Sequence, residues 1–179
     1  MLIGLYGGTF DPVHCGHVHA AECVRKFLGL DVIRMVLNAQ PVHKSSEQAM
    51  TAHRWSMLKA VCANRQGLIA DDVEVRRGGR SFTVDTLSLL QSEFPQAVLC
   101  WIVGEDSFAT LTSWRRWENL LDHCNLVVIP RPGQSIGFSE QIKALCRKYE
   151  TAYFDATRNG QIVRANLPMR AVSSTEIRQ

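Results

Sequence analysis

Ala97–Val103 (AVLCWIV) is a run of seven consecutive apolar residues in mid-chain, stopped by Gly104. Such a run offers no polar face to water. It fits a strand covered on both sides, as central strands of parallel sheets are. Shorter apolar runs occur at Leu2–Tyr6, Val32–Leu37 (VIRMVL) and Leu126–Ile129. Between them lie stretches of helical apolar period. His17–Leu28 carries Val18, Ala21, Val24, Phe27 and Leu28; Ala49–Ala63 carries Trp55, Leu58 and Val61; Thr83–Phe94 carries Val84, Leu87, Leu90 and Phe94. Ser139–Tyr149 reads as a further helix, and a short one is expected near Trp114–Leu121. Short strands are expected at Leu68–Ala70, Val73–Val75, Ala152–Phe154 and Ile162–Val163.

Strands alternating with helices predict an α/β fold: a three-layer, Rossmann-like, doubly wound parallel sheet with helices on both faces. A chain of 179 residues is long enough for one sizeable core, so a single domain over 1–179 is expected. Right-handed crossovers then gather the loops that follow strands at the carboxyl edge of the sheet. Those loops are Gly7–His17, Asn38–Lys44, Gly104–Asp106 and Pro130–Gly133.

Charge and cysteine usage narrow the class. A net charge of +3 lacks the strongly basic balance of a nucleic-acid binder. The cluster Arg76-Arg77-Gly78-Gly79-Arg80 reads either as a phosphate attractor or as a solvated hairpin turn. The six cysteines are scattered, without a CxxC pair, which suits a reducing compartment. Cys23, Cys62, Cys100 and Cys146 fall in apolar periodic segments and are expected in the core. No signal peptide or bilayer-spanning run is read, so a cytoplasmic location is expected.

The chemistry concentrates after the first strand, in GGTFDPVHCGH, Gly7 to His17. Gly7 and Gly8 suit a sharp turn and close approach to a ligand. Asp11-Pro12 is expected to end that turn. His14 and His17 are three apart and can point one way from the start of a helix. A helix N-terminus offers unpaired N–H groups and partial positive charge, which suits an anion. Two other readings remain open from the residues alone. One is a glycine turn with surface histidines; the other is a metal site of His14, Cys15, His17 and His19, which lacks a second cluster to complete it. Near the other end, Ser173 and Glu176 have capping-box spacing, so a helix is expected to begin there. Ser174, Thr175 and Arg178 then bring hydroxyls and a planar fork that suit phosphate.

Together, GGTFDPVHCGH and SSTEIR resemble the paired HxGH and SSTxIR motifs of a nucleotidyltransferase superfamily. Within it, the chain resembles the bacterial nicotinate-nucleotide adenylyltransferases. The further matching pieces are Pro41-x-His43-Lys44, Ser81-Phe82-Thr83-x-x-Thr86-Leu87, Val103-Gly104-Glu105-Asp106-Ser107 with Trp114 and Trp117, and Pro130-Arg131-Pro132-Gly133. The resemblance implies transfer of AMP from ATP to nicotinate mononucleotide, giving deamido-NAD and pyrophosphate. It implies catalytic roles for His14, His17 and Lys44. It implies ATP binding by Gly8, Thr9, Phe10, His14, His17, Gly104, Asp106, Ser174, Thr175 and Arg178. It implies mononucleotide binding by Gly7, Gly8, Thr9, Asn38, Lys44, Thr83, Trp114 and Arg131. Trp114 would stack on the pyridine ring while Trp117 stays in the core. Main-chain N–H groups at Thr83 would select the nicotinate carboxylate over an amide.

The expected cofactor is Mg²⁺, carried by the ATP phosphates rather than by a protein metal site. The expected partners are ATP and the mononucleotide, with neither nucleic acid nor membrane; a homo-oligomer is compatible. Two alternatives remain: a superfamily transferase acting on phosphopantetheine, FMN or a polyol phosphate, and a non-catalytic nucleotide-binding homologue. Two departures from the family pattern stand out. Members continue past SSTxIR into another helical segment, so the helix capped by Ser173 is expected to be a short stub. Phe82 stands where tyrosine is common, keeping the ring without its hydroxyl.

Overall fold

The structure is a computed structural model and describes residues 1–40, 49–131 and 136–179. Among the described residues six strands form one all-parallel sheet: β1 (Leu2–Gly8), β2 (Val32–Leu37), β3 (Leu68–Asp71), β4 (Val98–Gly104), β5 (Asn125–Ile129) and β6 (Ile162–Arg164). Their order is β3-β2-β1-β4-β5-β6. The chain runs outward from β1 to β3, returns beside β1 as β4, and then runs outward the other way. The reversal between β1 and β4 leaves a crevice at their carboxyl ends.

Period-two alternation explains the long apolar run. In β4, Leu99, Trp101 and Val103 join one core, and Cys100 and Ile102 join the other. The second core is covered by α1 (Cys15–Leu28) and α2 (Thr51–Cys62), through Val18, Ala21, Val24 and Leu58. The first is covered by α3 (Val73–Arg77), α4 (Thr83–Glu93), α5 (Glu105–Ala109), α6 (Leu120–His123) and α7 (Glu140–Tyr149). It takes Val73, Val84, Leu87, Leu90, Phe108, Leu120 and Ile142 from them. Each fully buried leucine contributes roughly 1.5–3 kcal/mol. The last element described is α8 (Ser174–Arg178). The parallel sheet with helices on both faces is as the sequence predicts; the strand order is new. No helix among the described residues is long and apolar enough to cross a membrane.

Several local expectations fail for physical reasons. Val73–Val75 is helix rather than strand. The Asp71 carboxylate accepts from the Val73 N–H at 2.9 Å and starts a turn, while Val75 is left exposed. Ala152–Phe154 is not a strand: the Thr151 hydroxyl donates to the Tyr153 carbonyl (2.8 Å) and accepts from its N–H (3.2 Å), closing a turn. The helix expected near Trp114–Leu121 is broken by Arg116, a non-glycine residue at φ 49°. Short 3₁₀ turns at Leu111–Ser113 and Trp117–Asn119 flank it, and α6 follows. Among the cysteines Cys62, Cys100 and Cys124 are buried, whereas Cys23 and Cys146 are only half-buried. In α2 the fully buried residues are Arg54, Leu58 and Cys62, while Trp55 and Val61 are only half-buried against the second core.

Candidate active site

The loop from β1 to α1 shapes the crevice. Gly7 and Gly8 do not make the turn: both lie in β1, and each gives room to a ring. A Cβ on Gly7 would come within 2.5 Å of Trp101, and one on Gly8 within 2.7 Å of Phe10. The turn is made by Phe10 itself, in the left-handed region at φ 50°. Its ring is buried and stands edge-on to His17, with centroids 5.1 Å apart. The Asp11–Pro12 peptide is cis.

His14 caps α1 from an extended conformation, and His17 lies in the first turn. Their rings stack at 3.7 Å between centroids and 32° between planes. The His14 N–H donates to Nδ1 of His17 at 3.3 Å. Nδ1 must therefore carry a lone pair, which places the proton of the neutral ring on Nε2. Nδ1 of His14 is buried and has no hydrogen-bond partner among the described residues. Burial pushes the His14 pKa below its ordinary value, and Glu176 partly offsets this. Gly16 fits under that ring: a Cβ there would lie 3.0 Å from Nδ1 and Cε1 of His14.

A cleft of about 510 Å³ opens over the pair. Tyr6, His14, Gly16 and His17 line one side, Gly104, Asp106, Pro130 and Arg131 another, and Arg170 to Glu176 the third. The carboxyl ends of β1, β4 and β5 thus meet the start of α1, as the fold requires. Gly104 is needed beside Asp106, because a Cβ would approach Oδ1 to 2.6 Å. Arg131, expected with the mononucleotide, lines this cleft and pairs with Asp106. Tyr6 was not foreseen as a wall residue. Its phenol is pushed up to about 12, by burial first and Asp106 second, with Arg131 opposing.

The C-terminal motif reaches the cleft. Ser173 caps α8 as its spacing predicts: its hydroxyl accepts from the Glu176 N–H (3.2 Å), and Glu176 accepts from the Ser173 N–H (3.0 Å). Ser174 and Thr175 line the cleft, and the Ser174 hydroxyl donates to the Pro12 carbonyl at 3.0 Å. Arg178 is not on the lining and donates to the Asp11 carbonyl. In the ligand-free chain these groups brace the histidine loop.

The residues expected around the pyridine ring lie elsewhere. Thr83 opens α4, and Trp114 is half-buried against the first core; neither lines the cleft. Their segments meet: the Arg115 guanidinium lies 4.7 Å above the Phe82 ring, and Arg116 pairs with Asp85 at 2.5 Å. Trp117 packs on the first core, as expected. Asn38 follows β2 beside the end of β1. Its N–H donates to the Gly8 carbonyl at 2.8 Å, while its buried Oδ1 has no partner among the described residues. Lys44, His43, Pro132 and Gly133 lie outside the described residues. Arg76 and Arg77 bond locally, to Asp72 and to Thr86 with the Arg80 carbonyl, and none of the cluster lines the cleft.

Two buried groups escaped the sequence reading. Glu74 accepts from the Thr86 hydroxyl at 2.7 Å and from the Ala39 N–H at 3.4 Å, tying α3, α4 and the end of β2 together. Arg54 is 2 % exposed and bonds the Thr9, Asn38, Ala39 and Ala49 carbonyls. Burial lowers its pKa and Asp11 opposes this. The available signal for Arg54 was its spacing of four and eight from Leu58 and Cys62, which puts it on the buried side of α2.

Among the described residues, no group of three His, Cys, Asp or Glu side chains could hold a metal ion. The cleft carboxylates are already engaged, Asp106 with Arg131 and Glu176 with Ser173.

Residues 5–179 match the family model described as cytidylyltransferase-like. The chain is 39 % identical over 181 residues to a protein of Aeromonas salmonicida named "probable nicotinate-nucleotide adenylyltransferase", covering 99 % of this chain and 84 % of that one. A protein of the same name from Shewanella frigidimarina is also 39 % identical, over 100 % and 87 % of the two chains. One from Neisseria meningitidis is 34 % identical, over 99 % and 87 %. In fold, the chain is similar to Plasmodium falciparum nicotinic acid mononucleotide adenylyltransferase complexed with NaAD. The TM-score is 0.76 at 21 % identity, over 99 % of this chain and 82 % of that one. The sheet order, the stacked histidine pair and these full-length matches make one statement: the chain belongs to the cytidylyltransferase-like family, among its nicotinate-nucleotide adenylyltransferases.

Proposed function

We propose that this chain transfers AMP from ATP to nicotinate mononucleotide, releasing pyrophosphate and forming deamido-NAD. The observation that carries the reading is the stacked His14–His17 pair at the start of α1, facing the cleft at the β1/β4 reversal. A phosphate oxygen of the mononucleotide attacks the α-phosphorus of ATP. That P–O bond forms while the bond to the β-phosphate oxygen breaks, and the electron pair leaves with pyrophosphate. The protein's task is positioning and charge stabilisation.

His17 offers its Nε2–H to the phosphate oxygens whose charge grows in the transition state. His14, with its buried unpartnered Nδ1, gains most from an anion beside it, because the anion offsets the burial that lowers its pKa. The long α1 adds N–H groups and the positive end of its dipole. Asp106 would exchange Arg131 for ribose hydroxyls, freeing Arg131 for phosphate. Ser174 and Thr175 supply hydroxyls at the cleft wall. Lys44 is assigned to the phosphates by its motif alone. Mg²⁺ would arrive on the triphosphate and neutralise the departing pyrophosphate. Trp114 and the start of α4 at Thr83 are assigned the nicotinate ring and carboxylate. The cytoplasm, where ATP is plentiful and thiols stay reduced, is the assigned compartment.

The test is pyrophosphate release with ATP and Mg²⁺, comparing nicotinate mononucleotide, nicotinamide mononucleotide and phosphopantetheine. Release with the nicotinate substrate far above the others is expected. Preference for phosphopantetheine would move the chain to another branch, and ATP binding without release from any acceptor would make it a non-catalytic binder.

A further inference from the structure

Arg54 makes five hydrogen bonds, as many as its side chain has N–H groups. Nε donates to the Ala49 carbonyl at 3.0 Å, Nη1 to Thr9 (2.7 Å) and Asn38 (2.8 Å), and Nη2 to Ala39 (3.2 Å) and the Thr51 hydroxyl (3.1 Å). No carboxylate among the described residues accepts from it directly. Burying a cation on neutral acceptors is expensive, and an apolar residue in line with Leu58 and Cys62 would pack at lower cost. The carbonyls it joins explain its presence. Thr9 follows the end of β1, Asn38 and Ala39 follow β2, and Ala49 precedes α2. One guanidinium therefore clasps the two loops that leave neighbouring strands at the crevice. The Asn38 N–H on Gly8 (2.8 Å) and the Ala49 N–H on the Asp11 carboxylate (3.3 Å) lie along the same seam.

The seam leads to the reacting groups. The Thr9 carbonyl belongs to the peptide that enters Phe10, the residue at φ 50°. A non-glycine residue keeps such a conformation only when its surroundings over-determine it. Here the carbonyl is gripped by Arg54 on one side, and the Phe10 ring abuts His17 on the other. We propose that Arg54 is a positioning residue for adenylyl transfer: by fixing the Thr9 carbonyl against Asn38 and Ala39, it holds the Phe10 turn, and through it His17, in one geometry toward the phosphates. The inference rests on the function proposed above. A lysine could keep the charge but not the fork, having three donors on a single nitrogen.

The experiment compares wild type, Arg54→Lys and Arg54→Ala at a temperature where circular dichroism shows each folded. Arg54→Ala is also assayed with guanidinium ion or methylammonium at low millimolar concentration. The expected result is a loss in kcat of about a hundredfold for Arg54→Ala, the scale of an ångström's misplacement. Arg54→Lys should lose at least about tenfold on the same ground. Guanidinium should restore kcat saturably and methylammonium should not. Should Arg54→Ala not fold, Arg54→Lys carries the test. Folded Arg54→Lys within about twofold of wild type would overturn the proposal. So would a guanidinium effect that raises the melting temperature of Arg54→Ala and leaves kcat unchanged, the signature of a purely structural role. Wild-type turnover in the same assay tests the functional reading separately. If wild type turned over no acceptor, amide exchange at Asn38 would decide: protection lost in the folded variants and regained with guanidinium supports the clasp, and unchanged protection refutes it.

Discussion

The side proposed here for the triphosphate and the side proposed for the pyridine ring are built differently. The first is assembled from the ends of regular elements: β1, β4 and β5 deliver Tyr6, Gly104 and Arg131, and the start of α1 delivers His14 and His17. The second is assigned to residues on irregular chain. Trp114 follows a 3₁₀ turn, Arg116 beyond it is left-handed, and Lys44 lies outside the described residues. A parallel sheet must place strand ends and helix starts together, so the first region exists before any ligand arrives. The second depends on loops whose conformation the sheet does not dictate. Under the proposed function, shared chemistry falls on the first and substrate choice on the second.

That contrast can be broken by mutation. The largest effect is expected from His17→Ala, which should lower kcat by about a hundredfold to a thousandfold, the range for losing one donor to developing charge. Mononucleotide binding should change far less, and initial-rate kinetics with both substrates would check the split. Gly16→Ala should follow, at about tenfold to a hundredfold in kcat. Its new Cβ would press on the His14 ring at 3.0 Å without removing any polar group. Unchanged kcat in that variant would show that the imidazole does not need its present place.

On the other side, Trp114→Ala should raise the KM for the mononucleotide about tenfold, near the upper range for one aromatic pair. The KM for ATP should stay constant. If both rise together, Trp114 acts through the core it half-enters. The smallest effect concerns pH. Burial holds the folded His14 pKa below 6.5, so between those values the unfolded chain binds more protons. The stabilising contribution is present above about pH 6.5 and is lost as pH falls through the folded value. The melting temperature of the ligand-free chain should therefore fall more steeply below pH 6.5 than that of His14→Gln. Parallel curves would remove His14 from this role.

The regular part of the fold was legible because hydrophobic period reports it. The run AVLCWIV became β4, and the alternation of strands and helices became the doubly wound sheet. What failed was decided by side-chain hydrogen bonds that periodicity does not encode. Val73-Glu74-Val75 alternates like a strand, yet Asp71 caps a turn and Glu74 turns inward to Thr86. In the site, His14 and His17 were placed by a spacing of three, and Ser173 by its cap. The two glycines do not make the sharp turn expected of them, since it falls on Phe10. The Arg131–Asp106 ion pair was not legible because it spans two strand ends far apart in sequence. Arg54 was hidden because a buried arginine on an apolar helix face contradicts composition, and its reason for burial lies on other segments.

The central claim is that the His14–His17 cleft passes the α-phosphate of ATP to nicotinate mononucleotide. The most direct measurement follows ATP radiolabelled at the α-phosphate, incubated with Mg²⁺, nicotinate mononucleotide and either wild type or His17→Ala. Label is predicted to pass into deamido-NAD with wild type and to remain almost wholly in ATP with the variant. Label absent from any dinucleotide with wild type, or transferred equally by both proteins, would contradict the account.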